Sequence, residues 1–283
     1  MISQYAITLE DTATPARLAA GLEGIFRRVH PGADCGFIAP LVEEVRALFA
    51  GEDPRYDAID MAYHDFGHTL QTALCLARMM EGRAMSAAQP AFSPGDFRRA
   101  LAAMLFHDTG YLRARGDGPG TGAKYTFVHE SRSAELAAGE LRKQGWPEAE
   151  LTAIRLFILC TGPSSRPDRQ PFGNEVDAEL GAMVCTADFL GQMSDPHYVK
   201  KLPALYREFE EAYAVRGIPP EMRPFVSAED LLAKTPAFWR NFVLPKLSEQ
   251  CRCVYRYLAR PPNSVCNPYL DAVERHLLDL ASS

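Results

Sequence analysis

Apolar residues recur at helical spacing along most of this chain, and no stretch alternates with the period of two that marks a β-strand. Between Pro40 and Gly51, for example, Leu41, Val45 and Leu48 line one face of a helix. The same pattern, bounded by proline, glycine and polar residues, predicts a series of helices. They cover about residues 15–29, 40–50, 63–80, 93–108, 129–143, 148–160, 175–193, 196–216, 228–259 and 268–281.

These elements predict an all-α protein. We expect a single all-helical domain over residues 1–283, with its core at about 55–195 and further helices before that core. A C-terminal helical extension is expected at about 196–283, and residues 1–14 are predicted to form a short extended arm.

The composition limits the kinds of partner that the protein is expected to bind. The net charge is −6, which argues against binding a nucleic acid polymer, because the phosphate backbone requires a basic face. No run of about 18 apolar residues is present, so we expect no membrane span. The N-terminus shows no secretory signal, and the seven cysteines follow no repeated spacing. We therefore expect a protein of the reducing cytoplasm.

Histidines and aspartates supply the candidate chemistry. His64 and His68 are four residues apart, which predicts that both lie on one face of a helix and reach one pocket. His107 and Asp108 follow a long apolar run, and Asp188 follows another. A carboxylate at such a buried position is costly unless something compensates its charge.

One cation explains the two buried aspartates and the histidines together, although a lone histidine is usually structural. Imidazole and carboxylate ligands suit Mn, Fe, Co, Zn or Ni, and Mg less well. We expect one or two such divalent ions. Water activated by the metal would then be the nucleophile of a hydrolytic reaction near neutral pH.

The glycine-rich loop at residues 116–124 is predicted to be a lid that faces the substrate. Lys124 is the candidate contact for an anionic group. The loop is not a P-loop, because Tyr125 follows the lysine where serine or threonine would be required.

The order His68, His107-Asp108, Asp188 resembles the HD-domain metal-dependent phosphohydrolase superfamily, over roughly residues 55–195. Within that superfamily, the stretch from Tyr63 onward resembles the Tyr-His-Asn-x-x-His opening of the class I cyclic nucleotide phosphodiesterases.

The resemblance implies a role for each residue. Asp108 would bridge to a second ion, and His64 would be the general acid that protonates the leaving oxygen. His129 would bind the second ion or contact the phosphate. The ligands of the first ion would be His68, His107, Asp108 and Asp188.

The sequence departs from the pattern of these families at three places. Tyr111 stands where the phosphodiesterase pattern has a histidine, Asp65 replaces the asparagine, and residues 159–161 lack a later histidine. The second ion is therefore expected to be weakly held or mostly ligated by water. Gln192, one turn after Asp188, is the candidate for the glutamine that reads a purine base.

The leading hypothesis is a phosphohydrolase that acts on a small anionic phosphate ester, most simply a phosphodiester or a nucleotide. One alternative is an HD-type di-iron oxygenase, which would need more histidines on the second iron than His129 alone. Another is a non-catalytic HD module that senses a nucleotide.

Overall fold

The computed structural model describes residues 12–282, and its described residues form ten α-helices and no β-strand, which confirms the all-α prediction. Residues 1–11 of the predicted arm lie outside the described part. The helices are α1 (Pro15–Val29), α2 (Ile38–Phe49), α3 (Phe66–Met85), α4 (Pro94–Phe106), α5 (His129–Lys143), α6 (Glu148–Ile158), α7 (Glu175–Met193), α8 (Tyr198–Val215), α9 (Ala228–Phe238) and α10 (Pro268–Ser282). None of them is long and apolar enough to cross a membrane.

Helices α3 and α7 lie at the centre of the core and pack against each other. Both are buried around most of their circumference, as expected for helices that are apolar on nearly every face. Helices α1 and α4 pack on α3, and α4, α6 and α10 pack on α7. Helix α8 packs against α9 and against a short 3₁₀ helix, Gly122–Tyr125, in the glycine-rich loop.

A glycine allows the two central helices to approach closely. A Cβ atom added to Gly191 would lie 2.8 Å from the Cα of Thr72 and 2.9 Å from its Cγ2, so only glycine fits there. Gly191 follows Asp188 by about one turn, and Thr72 follows His68 by about one turn. This contact therefore sets the distance between two candidate metal ligands.

Replacing Gly191 with alanine is expected to destabilise the fold by about 1–3 kcal/mol, because the added methyl group overpacks a rigid backbone contact. It should also weaken Mn²⁺ binding, since α7 must move away from α3. Urea unfolding and metal titration measure the two effects. Gly139→Ala is the matched control: that helical glycine has nothing within 4 Å of an added Cβ, and alanine there should stabilise by about 0.5–1 kcal/mol. Equal behaviour of the two variants would contradict the prediction.

Two predicted helix ends are wrong. Helix α3 does not end near Met80 but continues to Met85, with Gly82 inside it. Gly82 is needed there because a Cβ would lie 1.8 Å from the carbonyl oxygen of Tyr257.

The predicted helix over residues 228–259 is interrupted. Helix α9 continues through two π-helical turns, Trp239–Val243 and Lys246–Gln250. It stops at Arg252 and Cys253, which have φ values of 58° and 54°, because a left-handed backbone cannot continue a right-handed helix.

Candidate metal centre

Three side chains from three helices form a buried cluster that could hold a metal ion: His68 of α3, His107 at the end of α4 and Asp188 of α7. Their donor atoms all lie within 4.8 Å of one another. The two Nε2 atoms are 3.2 Å apart, and each lies 3.4 Å from Oδ1 of Asp188. Donor atoms held by one ion at about 2.0–2.1 Å lie about 2.8–3.4 Å apart for right or tetrahedral angles. The cluster has this spacing.

Local structure fixes the orientation of the His107 imidazole and the position of the His68 backbone. His107 caps the C-terminus of α4, and its Nδ1 donates to the carbonyl oxygen of Met104 at 2.7 Å. A carbonyl only accepts, so Nε2 of His107 carries the lone pair that a metal requires. His68 lies in the first turn of α3, where the side chain of Asp65 accepts its backbone N–H at 2.8 Å.

Asp108 provides a second carboxylate beside the cluster. Its Oδ2 lies 3.2 Å from Nε2 of His68 and 3.3 Å from Nε2 of His107. This oxygen is buried and has no hydrogen-bond partner. A buried carboxylate oxygen in that state is costly, and a cation at the cluster would compensate it. The donor set therefore fits a divalent metal ion.

The charges of the cluster favour the same conclusion. Burial alone raises the pKa of Asp108 and of Asp188, but the neighbouring histidines outweigh it and hold both pKa values below the usual range. Burial likewise lowers the pKa of His68, but the two aspartates outweigh it and raise that pKa to about 10. Without an ion, a proton on His68 thus offsets the negative charge. Metal binding must displace that proton.

His64 does not lie on the helix of His68, so that prediction is wrong. Asp65 has an extended backbone and caps α3, which begins only at Phe66. His64 therefore approaches from the preceding segment, with its ring centroid 5.7 Å from that of His68. The capping preference of aspartate outweighs the i, i+4 spacing.

Glu208 of α8 holds His64, and the sequence reasoning missed it. Its Oε2 lies 2.6 Å from Nδ1 of His64, and its Oε1 accepts the backbone N–H of Tyr63 at 2.7 Å. Burial lowers the pKa of His64, but Glu208 outweighs it and raises that pKa. The available signal was a carboxylate on the buried face of α8, in line with Ala204 and Ala212.

His129 begins α5 and faces the other oxygen of Asp108. Its Nδ1 donates to the carbonyl oxygen of Thr126 at 2.7 Å, and its Nε2 lies 3.7 Å from Oδ1 of Asp108. The ring of Tyr111 stacks against both His64 and His129, with centroid distances of 4.7 Å and 4.4 Å, and the centroids of the two histidine rings are 6.3 Å apart. The structure thus brings His129 to the same centre.

The two predicted substrate contacts are both engaged within the protein. The Lys124 ammonium bonds inside its own loop, to the carbonyl oxygen of Gly118 at 3.0 Å and to Asp117 at 2.9 Å. Gln192 donates to the carbonyl oxygen of Asp188 at 3.0 Å and accepts from the hydroxyl of Tyr63 at 2.7 Å. Gln192 therefore braces the residues around the cluster, and Lys124 braces the loop.

Residues 169–259 match the model of a family described as Npun_R2479-like. No curated protein matches the chain. The matched segment contains Asp188 and Glu208, whereas His68, His107 and Asp108 precede it. The C-terminal part of the site thus lies in a segment that is similar to the Npun_R2479-like family.

Proposed function

We propose that this protein is a metal-dependent phosphohydrolase of HD type that cleaves a phosphate ester, most simply a phosphodiester or a nucleotide. One observation carries the proposal: a buried His-His-Asp cluster, with a second carboxylate whose Oδ2 has no hydrogen-bond partner, lies beside a histidine whose pKa a buried glutamate raises. A cation site next to a proton donor is the arrangement that ester hydrolysis requires.

Each residue then has a defined task. His68, His107, Asp108 and Asp188 hold the ion, which when bound supplies Lewis acidity to water and to the phosphate. His129, with Nδ1 bound to Thr126, presents Nε2 toward the same space.

His64 supplies the proton. Its Nδ1 is engaged by Glu208, so Nε2–H is the group left to donate to the leaving oxygen as the P–O bond breaks. Its side chain is 15% exposed, compared with 4% for His68 and 1% for His107. A substrate can therefore reach His64 while the metal ligands stay buried.

Glu208→Gln is expected to lower the pKa of His64, because a neutral amide no longer stabilises the imidazolium. The acid must be protonated, so the rate falls as the pH rises through this pKa. In the wild type, Glu208 raises the pKa of His64, so activity should extend to higher pH. In the variant, the rate should begin to fall at a lower pH. The pH profile of kcat measures this. An unchanged profile would contradict the role of Glu208, whereas a uniform loss at every pH would indicate only structural damage.

The experiment that tests the proposal combines elemental analysis with an assay. Purified protein should contain at least one divalent metal per chain and should hydrolyse bis(4-nitrophenyl) phosphate when Mn²⁺ is added. Chelation should abolish the activity, and Mn²⁺ should restore it. Absence of metal from the wild type, or unchanged activity in Asp108→Ala, would refute the proposal.

The di-iron oxygenase has less support from the described residues. They contain one group of three or more metal-binding side chains with converging donor atoms. A second iron would have Asp108 and His129 for its ligands. The ring stacked on His129 belongs to Tyr111, so it does not provide a further imidazole. Consumption of oxygen by an iron-loaded sample would favour that alternative.

A further inference from the structure

A buried lysine contacts the loop beside the candidate metal cluster. Lys246 begins the second π-helical turn after α9, and only 3% of its surface is exposed. Its ammonium donates to the carbonyl oxygen of Pro163 at 3.2 Å, and to the carbonyl and hydroxyl oxygens of Ser165, the latter at 3.0 Å. An ammonium has three N–H donors, so these three neutral oxygens satisfy all of them.

A lysine at this position is costly, because its ammonium loses water without gaining the charge of a carboxylate from these three oxygens. An apolar side chain of similar length would fill the same space without that cost. What the lysine adds is a connection. It joins the π-helical turn to residues 162–165, the loop between α6 and the 3₁₀ helix Pro167–Arg169.

The same loop contacts a candidate metal ligand. The backbone N–H of Gly162 donates to Oδ2 of Asp188 at 3.4 Å, while Oδ1 faces the two imidazoles of the cluster. The Ser165 hydroxyl, which accepts from Lys246, lies 2.9 Å from the carbonyl oxygen of Gly162. Hydrogen bonds therefore run from the ammonium through the loop to the carboxylate. Carboxylates that ligate metals are held in orientation by such outer hydrogen bonds.

We propose that Lys246 is a positioning residue for Asp188, which it holds in place through residues 162–165. The inference rests on the proposed function, in which Asp188 holds the ion. Without the ammonium, the loop relaxes and Gly162 no longer fixes the plane of the carboxylate. Loss of an outer hydrogen-bond partner of a ligand costs about 10–100-fold in metal affinity. Lys246 acts one contact further away, so we expect the lower end of that range, about tenfold.

The experiment measures Mn²⁺ affinity of the full chain by equilibrium dialysis, in wild type and in Lys246→Met. Methionine has a similar length but donates no hydrogen bond. The variant should bind Mn²⁺ about tenfold more weakly. With Co²⁺ in place of Mn²⁺, its visible absorption spectrum should change, because that spectrum reports the geometry of the ligands. Ser248→Ala is the matched control in the same π-helical turn: its hydroxyl bonds the carbonyl oxygen of Leu244, and it should bind both metals as wild type does.

A double-mutant cycle tests whether Lys246 acts through the loop. Ser165→Ala removes the hydroxyl that links the ammonium to Gly162, and it should also weaken Mn²⁺ binding. Adding Lys246→Met should then weaken binding by less than the product of the two single effects, because both changes break the same connection. Lys246→Met combined with Ser248→Ala should match Lys246→Met alone.

The proposal is overturned if folded Lys246→Met keeps the Mn²⁺ affinity and the Co²⁺ spectrum of wild type, even when it unfolds at lower urea. It is also overturned if the effects of Lys246→Met and Ser165→Ala simply multiply. Should Lys246→Met fail to fold, unchanged affinity in Ser165→Ala decides against the proposal. In each case, hydrolysis by Mn²⁺-loaded wild type leaves the proposed function standing, whereas absence of any bound Mn²⁺ in wild type would overturn both.

Discussion

Replacing Asp188 with asparagine is expected to remove the metal from the protein and to abolish hydrolysis. The carboxylate contacts both imidazoles of the cluster, and its oxygen lies 3.4 Å from each Nε2. An amide removes a full negative charge and a strong ligand while it keeps the shape. Changes to residues that only orient a ligand already cost about 10–100-fold in affinity, so loss of the ligand itself should exceed about 100-fold. Mn²⁺ affinity and the rate on an aryl phosphodiester measure the two losses.

Asp177→Asn is the matched control on the same helix. Asp177 is also buried, but it pairs with Arg99 at 2.8 Å, away from the cluster. This variant should lose stability while it retains its metal and its rate. If both variants lost metal equally, the effect of Asp188→Asn would reflect damage to α7. If neither lost metal, Asp188 would not be a ligand.

Replacing His64 with alanine is expected to leave the metal in place and to slow hydrolysis by about 100- to 10,000-fold, the usual contribution of a positioned acid. The loss should depend on the leaving group. An alkoxide needs a proton as it departs, whereas 4-nitrophenolate is stable without one. The variant should therefore be much slower on an alkyl ester and only slightly slower on bis(4-nitrophenyl) phosphate. Rates on a series of esters with rising leaving-group pKa measure this.

His276→Ala serves as the control for His64→Ala. His276 is also partly buried, and its Nδ1 lies 2.9 Å from the carbonyl oxygen of Met193. His276→Ala should either leave the rates unchanged or lower the rate on every ester by the same factor. A uniform loss in His64→Ala across the series, or loss of its metal, would contradict the role of His64 as proton donor.

The helices could be predicted from the sequence because apolar periodicity and capping residues act locally. Ser93 caps α4 with a reciprocal bond to Asp96, as its position before Pro94 indicates. The misplaced end of α3 has a non-local cause. Gly82 does not end α3, because the segment containing Tyr257 packs against it from 175 residues further along the chain. No local pattern encodes such a contact.

The same contrast between local signals and distant contacts applies to the candidate site. His107, Asp108 and Asp188 could be singled out because each follows an apolar run, where a polar group needs an explanation. Glu208 could not be assigned to His64, because their contact joins residues 144 positions apart. The role of Gly191 was also hidden, since only the packing of α7 on α3 shows why a side chain is excluded.

The contact between Glu208 and His64 has a consequence for the order in which the protein matures. Chains are synthesised from the N-terminus, and domains begin to fold during synthesis. The last ligand of the cluster, Asp188, leaves the ribosome twenty residues before Glu208 does. A nascent chain therefore possesses its complete metal-binding set before it possesses the residue that fixes its proposed proton donor. Under the proposed function, metal capture can precede activity during biosynthesis, and docking of α8 completes the proposed site.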